Sequence, residues 1–172
     1  MKPFKDHIIE TMVCYDHSHE FVASTLKMRV PDFENITAGT SVPSWDWVKE
    51  FCELYHLDAE ELRQAWLQAK KEHTEQVRRM DRQFHARQYL MEHLNTASSI
   101  PARQMCVIAA SQFFHNVYSD PDNVSEDAKT IIKMRSIFSY DMGGEQEVAY
   151  SEQLGDDNRW KELQNSIIKA IL

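Results

Sequence analysis

Between Asp58 and about residue 95 the chain contains neither glycine nor proline, so nothing in that stretch breaks a helix. It opens on Asp58 and Glu61, spaced as a capping box in which each side chain takes up a backbone amide that the first helical turn leaves free. The run predicts one helix much longer than the usual ~10–14 residues. Stepping along it by four and three from Leu62 passes Trp66, Ala69, His73, Gln76, Met80, Gln83 or Phe84, Arg87, Met91 and Leu94. Leu62, Trp66, Met80, Phe84, Met91 and Leu94 thus form a mostly apolar seam with polar interruptions. Such a seam must pack on something, either the C-terminal part of the chain or a second copy of itself.

The rest of the chain carries the same signature. Only four Gly and five Pro occur in 172 residues, and apolar positions recur at helical spacing, which predicts an all-α protein. The expected organisation is a five-helix unit over residues 1–69, the long connecting helix over 70–95, and a helical C-terminal unit over 96–172. No apolar run approaches the roughly 20 residues that cross a bilayer, and the N-terminus has no basic-then-apolar leader. Cys14, Cys52 and Cys106 are odd in number and sit among apolar neighbours, so buried free thiols are expected. These features predict a soluble cytoplasmic protein, in a bacterial or phage-infected cell if the resemblance below holds.

The formal net charge of −8 is unevenly spread. Residues 1–69 hold six Lys or Arg against twelve Asp or Glu, residues 70–95 six against four, and residues 96–172 seven against eleven. The middle segment, KKEHTEQVRRMDRQFHAR over 70–87, is therefore the one basic stretch. It reads either as a track for phosphates or as the wet face of the long helix, where Glu72 and Glu75 precede Arg78, Arg79 and Arg82 and Glu75 stands at pairing distance from Arg78 and Arg79. The wet face is the preferred reading.

Ahead of the long helix, Phe4, Ile8, Ile9, Met12 and Val13 predict a first helix over about 3–14. Asp16 and Ser18 are cap residues for a second, which carries Phe21, Val22, Ala23 and Leu26. The chain turns near Lys27, Pro31 suits the first turn of a third helix, and Gly39 ends it. Ser44 caps a fourth, presenting Trp47, Val48, Phe51, Cys52, Leu54 and Tyr55. After the long helix, a helix is expected over about 100–118 with Met105, Ile108, Ala109, Phe113 and Val117 on one side. Asn123 with Glu126 reads as a capping box for a helix bearing Ala128, Ile131, Ile132, Arg135 and Phe138. Residues 139–156 read as a loop with a short strand or turn, and Asp156 or Asp157 caps a last helix with Trp160, Leu163, Ile167 and Ile171.

Residues 20–44, EFVASTLKMRVPDFENITAGTSVPS, form a helix-turn-helix pattern: small Ala23 where two helices cross, and Met28, Phe33 and Ile36 as packing residues at fixed offsets. With Gly39, Pro43–Ser44 and the continuation EFCELYHLDAEELRQAW, the segment over about 4–69 resembles the lambda-repressor-like helix-turn-helix family, including its xenobiotic-response-element group of bacterial and phage regulators. The resemblance implies a recognition helix, VPDFENITA, that enters the major groove of double-stranded DNA. It assigns base contacts to Arg29, Val30, Asp32, Glu34 and Asn35, and phosphate contacts to His19, Lys27 and Lys49. Arg29 suits guanine or a phosphate, Asn35 adenine, Glu34 the cytosine amino group and Val30 the thymine methyl. Lys27 stands where the family has glycine at the tight turn, so a left-handed non-glycine residue is expected there. His19 stands where the family often has Gln.

Other chemistries find little support. Cys14, His17 and His19 make a C-x-x-H-x-H cluster with no partner pair elsewhere, so no metal is expected. No phosphate-binding loop, dinucleotide fingerprint or nucleophile elbow occurs, so neither a cofactor nor an enzyme is expected. The reading is a sequence-specific transcriptional regulator, a repressor-type homodimer on a palindromic operator. The alternative is an acidic helix-turn-helix adaptor or phage-encoded inhibitor that binds a host regulatory protein instead of DNA.

Overall fold

The structure is a computed structural model that describes residues 2–114, 120–139 and 144–172, all helix, turn or loop, with no strand among the described residues. Among them no helix is long and apolar enough to cross a membrane. The chain divides into two compact units, Met1–Arg78 and Arg79–Leu172. The division falls inside the long helix, which gives side chains to two separate cores.

The first unit comprises α1 (Phe4–Cys14), α2 (His19–Thr25), α3 (Val30–Ala38), α4 (Trp45–Tyr55) and the first part of α5 (Ala59–His93). Its helices start where side-chain oxygens meet free amides: Ser18 accepts from the Phe21 amide, Ser44 from that of Trp47 and Asp58 from that of Glu60. The core gathers Ile8, Val22, Ala23, Phe33, Ile36, Val48, Phe51 and Tyr55, joined from α5 by Leu62, Ala65 and Trp66. Each large apolar side chain buried there contributes about 1.5–3 kcal/mol. The Trp66 indole N–H also donates to the Pro43 carbonyl at 2.9 Å, tying α5 to the loop before α4.

The first four helices end alike. At each end a residue in left-handed geometry bonds back three residues, and the next amide bonds back five. The turning residues are Asp16 (φ 53°), Lys27 (φ 52°), Gly39 (φ 79°) and His56 (φ 56°). Their successors close the turn: His17 N to Met12 O at 3.0 Å, Met28 N to Ala23 O at 2.8 Å, Thr40 N to Asn35 O at 2.9 Å, Leu57 N to Cys52 O at 2.8 Å. Lys27 thus adopts the geometry that its place in the motif predicted. Only Gly39 does this without steric cost, since a Cβ in the left-handed region crowds its own carbonyl.

The second unit takes the rest of α5, then α6 (Ile100–Ala110), a 3-10 turn (Ser111–Phe113), a second (Pro121–Asn123), α7 (Glu126–Ser139), α8 (Glu145–Gly155) and α9 (Asp157–Ile171). Leu90, Leu94, Cys106, Val107, Ile131, Met134, Leu154, Trp160, Leu163 and Ile167 form its core. Several expectations change. Helix α6 stops at Ala110 and buries Arg103, Cys106, Val107 and Ala110, while Met105 faces out; Val117 lies outside the described residues. Ser125, not Asn123, accepts the first-turn amide of α7, at Ala128, and Arg135 of that helix is exposed where Met134 is buried. Residues 145–155, expected as loop, are helix α8, held by buried Leu154. Cys14 is exposed, unlike Cys52 and Cys106.

Arg103 explains the first change. It is 8% exposed, and its guanidinium donates to the Ala97 carbonyl (3.1 Å), the Leu154 carbonyl (2.7 Å) and the Asp157 carboxylate (2.7 Å) while lying over the Trp160 ring. A cation so engaged occupies a core position that helical periodicity assigns to an apolar residue. Asp157 is thereby taken, and Asp156 caps α9 by accepting from the Asn158 and Arg159 amides.

Two measurements probe this fold. Lys27→Gly should raise urea-measured stability by about 0.5–1 kcal/mol, the left-handed strain released less the extra freedom of the unfolded glycine. The second concerns Asp127, which takes a hydrogen bond from Ser166 and an ion pair from Arg159. Burial acts to raise its pKa, but those two partners more than offset it and hold the carboxyl below its ordinary 3.8. The stabilisation is therefore complete above 3.8 and is lost as the pH falls through the native value. Asp127→Asn should cost about 1–2 kcal/mol at neutral pH and progressively less below that value.

Candidate nucleic-acid interface

Helices α2 and α3 cross with Ala23 fully buried, and Phe33 and Ile36 anchor α3 in the core. Helix α3 starts at Val30 with Pro31 in its first turn, where the missing N–H has no helical partner to lose. That packing decides which side chains remain outside. Arg29, Glu34 and Asn35 are exposed, Asp32 is half-buried, and Val30 packs on the edge of the core.

The charged positions largely answer one another. Arg29 makes a two-pronged ion pair with Asp32, Nε to Oδ2 at 2.7 Å and a terminal nitrogen to Oδ1 at 3.0 Å. That hydrogen bond and the Asp32 charge raise the Arg29 pKa. A guanine edge would need the same fork, so base reading by Arg29 requires it to leave Asp32. Lys49 is held at 2.7 Å by Asp46, whose hydrogen bond and charge raise its pKa, with a smaller contribution from Glu53. Lys27 is exposed beside the turn between the two helices.

Asn35 keeps part of its capacity. Its carboxamide oxygen accepts from the Thr40 hydroxyl at 3.2 Å, leaving a second lone pair and both amide hydrogens for a base edge. Glu34 stands exposed. His19 is half-buried with its ring edge-on to Phe33, so only part of it faces outward. Glu20, in the first turn of α2, is lowered in pKa by its own backbone amide and by the Ser18 hydroxyl.

The cysteine–histidine cluster does not converge. His17 Nδ1 lies 2.9 Å from the Tyr55 hydroxyl and its ring packs on Phe21, while Tyr15 donates to the Tyr55 carbonyl. Among the described residues no group of three or more His, Cys, Asp or Glu is arranged to hold a metal. Around His17 the surface is apolar: Val13, Tyr15 and Phe21 are all exposed. The segment thus carries an apolar, largely aromatic surface patch that spacing alone did not reveal.

The seam of α5 is divided. Leu62 and Trp66 lie in the first core and Leu94 in the second, so these three are not available to a partner. Met80, Phe84 and Met91 stay 62%, 57% and 69% exposed, and Val77 joins them at 51%.

Thiol chemistry gives a direct check on the burial pattern. Burial pushes the Cys106 thiol up to about 11 and raises that of Cys52, whereas Cys14 is exposed. A disulfide reagent should modify one thiol in the native protein, at Cys14, and all three after unfolding; native modification of Cys106 would contradict the packing. Compared with protein-family models, curated proteins and solved structures, the chain gives no significant match.

Proposed function

We propose that the chain is a sequence-specific DNA-binding regulator of bacterial or phage type that acts as a homodimer. The observation that carries this reading is the presentation of α3: Phe33 and Ile36 seat it in the core while Arg29, Glu34 and Asn35 project from it beside exposed Lys27. A short helix so anchored, with polar outer residues and a cation at its entry, has what major-groove readout requires. Arg29 and Asn35 supply base edges, Glu34 a cytosine contact, and Lys27 a phosphate contact, with Val30, Asp32, His19 and Lys49 in secondary roles.

The second copy docks along α5. Val77, Met80, Phe84 and Met91 are spaced by three, four and seven, the repeat of a two-stranded coiled coil, and each stays more than half exposed among the described residues. Two recognition helices then meet a palindromic operator, which compensates for the weak grip of one acidic unit.

The adaptor reading has its own support. Val13, Tyr15 and Phe21 expose an aromatic patch, and Arg29 and Lys49 are neutralised by carboxylates of their own chain. A host regulatory protein is the partner that such a surface fits. Capture from nuclease-treated lysate separates the readings: a protein partner lost on Phe21→Ser favours the adaptor.

The regulator reading is tested by selection from random duplexes at low salt; absence of any enriched sequence would rule it out. Asp32→Asn frees the Arg29 fork and removes a negative charge, so affinity for the selected duplex should rise about threefold to tenfold. Lys27→Ala should weaken all duplexes alike, and Asn35→Ala should relax specificity at one base pair. Phe84→Lys should convert the dimer to a monomer in sedimentation equilibrium and leave the helical circular dichroism unchanged.

A further inference from the structure

The basic stretch of the long helix has a use beyond solvation. Arg79 and Arg82, one turn apart on α5, line a cavity of about 280 Å³ with Arg135 and Ser136 of α7 and Ser111 and Gln112 of the 3-10 turn. In a chain of net charge −8, three guanidinium groups and, among the described residues, no carboxylate line one hollow. Neither Arg82 nor Arg135 has an ion-pair partner among the described residues. The position of α5 against the turn is secured by Gln83, whose side-chain amide donates to the Gln112 carbonyl at 3.1 Å.

The two hydroxyls complement the cations. Ser111 donates to the Ile108 carbonyl at 2.6 Å and Ser136 to the Ile132 carbonyl at 3.3 Å. Each hydroxyl proton is thus committed, and each oxygen is left as an acceptor. Guanidinium forks match phosphate oxygens, and acceptor oxygens beside them match ligand O–H groups. Among the described lining residues Ile132 is the one apolar side chain and none is aromatic, so none of them offers a face for stacking a base.

We propose that this cavity binds a phosphate monoester of a small hydroxylated molecule. Arg82 and Arg135 hold the phosphate, and the Ser111 and Ser136 oxygens accept from its hydroxyls. The volume lies near the small end of the range for ligand sites, about 300–1,000 Å³, and suits a phosphorylated sugar. The site stands on the second unit alone and does not depend on groove reading by α3.

The test is calorimetric titration of the full chain at low ionic strength with glucose 6-phosphate, inorganic phosphate and glucose. The sugar phosphate should bind more tightly than phosphate, glucose should not bind, and the amides of Ser111, Gln112 and Ser136 should shift in NMR spectra. The double variant Arg82→Gln/Arg135→Gln should weaken binding by about tenfold or more. Arg87→Gln makes one such charge change on the same helix outside the cavity and should leave binding nearly unchanged. Failure of both phosphates to bind, or an Arg87→Gln loss as large as that of the double variant, would overturn the proposal. So would a duplex whose affinity depends on Arg82 and Arg135 while sugar phosphate does not bind, which would assign the arginines to a nucleic-acid backbone.

Discussion

A chain with four glycines that must turn four helices within its first 56 residues has to make most of those turns with something else. Left-handed Asp16, Lys27 and His56 are that something, and Gly39 is the one turn made without cost. The geometry of the first unit follows from these ends. Each turn satisfies carbonyls that the helix leaves open and redirects the chain so that one apolar face after another reaches the same core. Lys27 makes the turn between α2 and α3, and the burial of Phe33 and Ile36 decides which residues of α3 project.

The same economy shapes the electrostatics. Arg29 with Asp32, and Lys49 with Asp46, each spaced by three, spend cations on neighbouring carboxylates, as exposed pairs along a helix do. Such pairs contribute little to folding but fix where a fork points while no partner is present. Across the second unit Arg103 applies the opposite arrangement, a charge inside the core whose donors are answered by two backbone carbonyls and one carboxylate. Removing a partner from such a group costs far more than losing an exposed pair.

Local chemistry in the sequence predicted much of this. Ser18, Ser44, Asp58 and Asp156 cap the helices that their positions implied, Gly39 ends α3, and the unbroken run after Asp58 is one helix to His93. Whatever depended on distant residues was hidden. Arg103 reads as a surface cation until Leu154 and Asp157 are brought beside it, and without it the buried face of α6 is assigned two positions off. Helix α8 lacks a strong apolar period and is held by what it packs on. In the candidate site, the outward residues of α3 were legible from Phe33 and Ile36, and the spacing R-V-P-D already places Asp32 within pairing reach of Arg29. The division of the α5 seam needed knowledge of both cores.

Turns closed by bonds that span only three and five residues also bear on how fast the first unit forms. Bringing those ends together orders very little chain, so loop-closure entropy is small at every corner. Topologies rich in such near-neighbour links fold in microseconds to milliseconds. The first unit can therefore complete its corners while later residues are still being synthesised, and the contacts that join distant residues, Tyr15 to the Tyr55 carbonyl across 40 positions and Trp66 to the Pro43 carbonyl across 23, carry the larger closure cost.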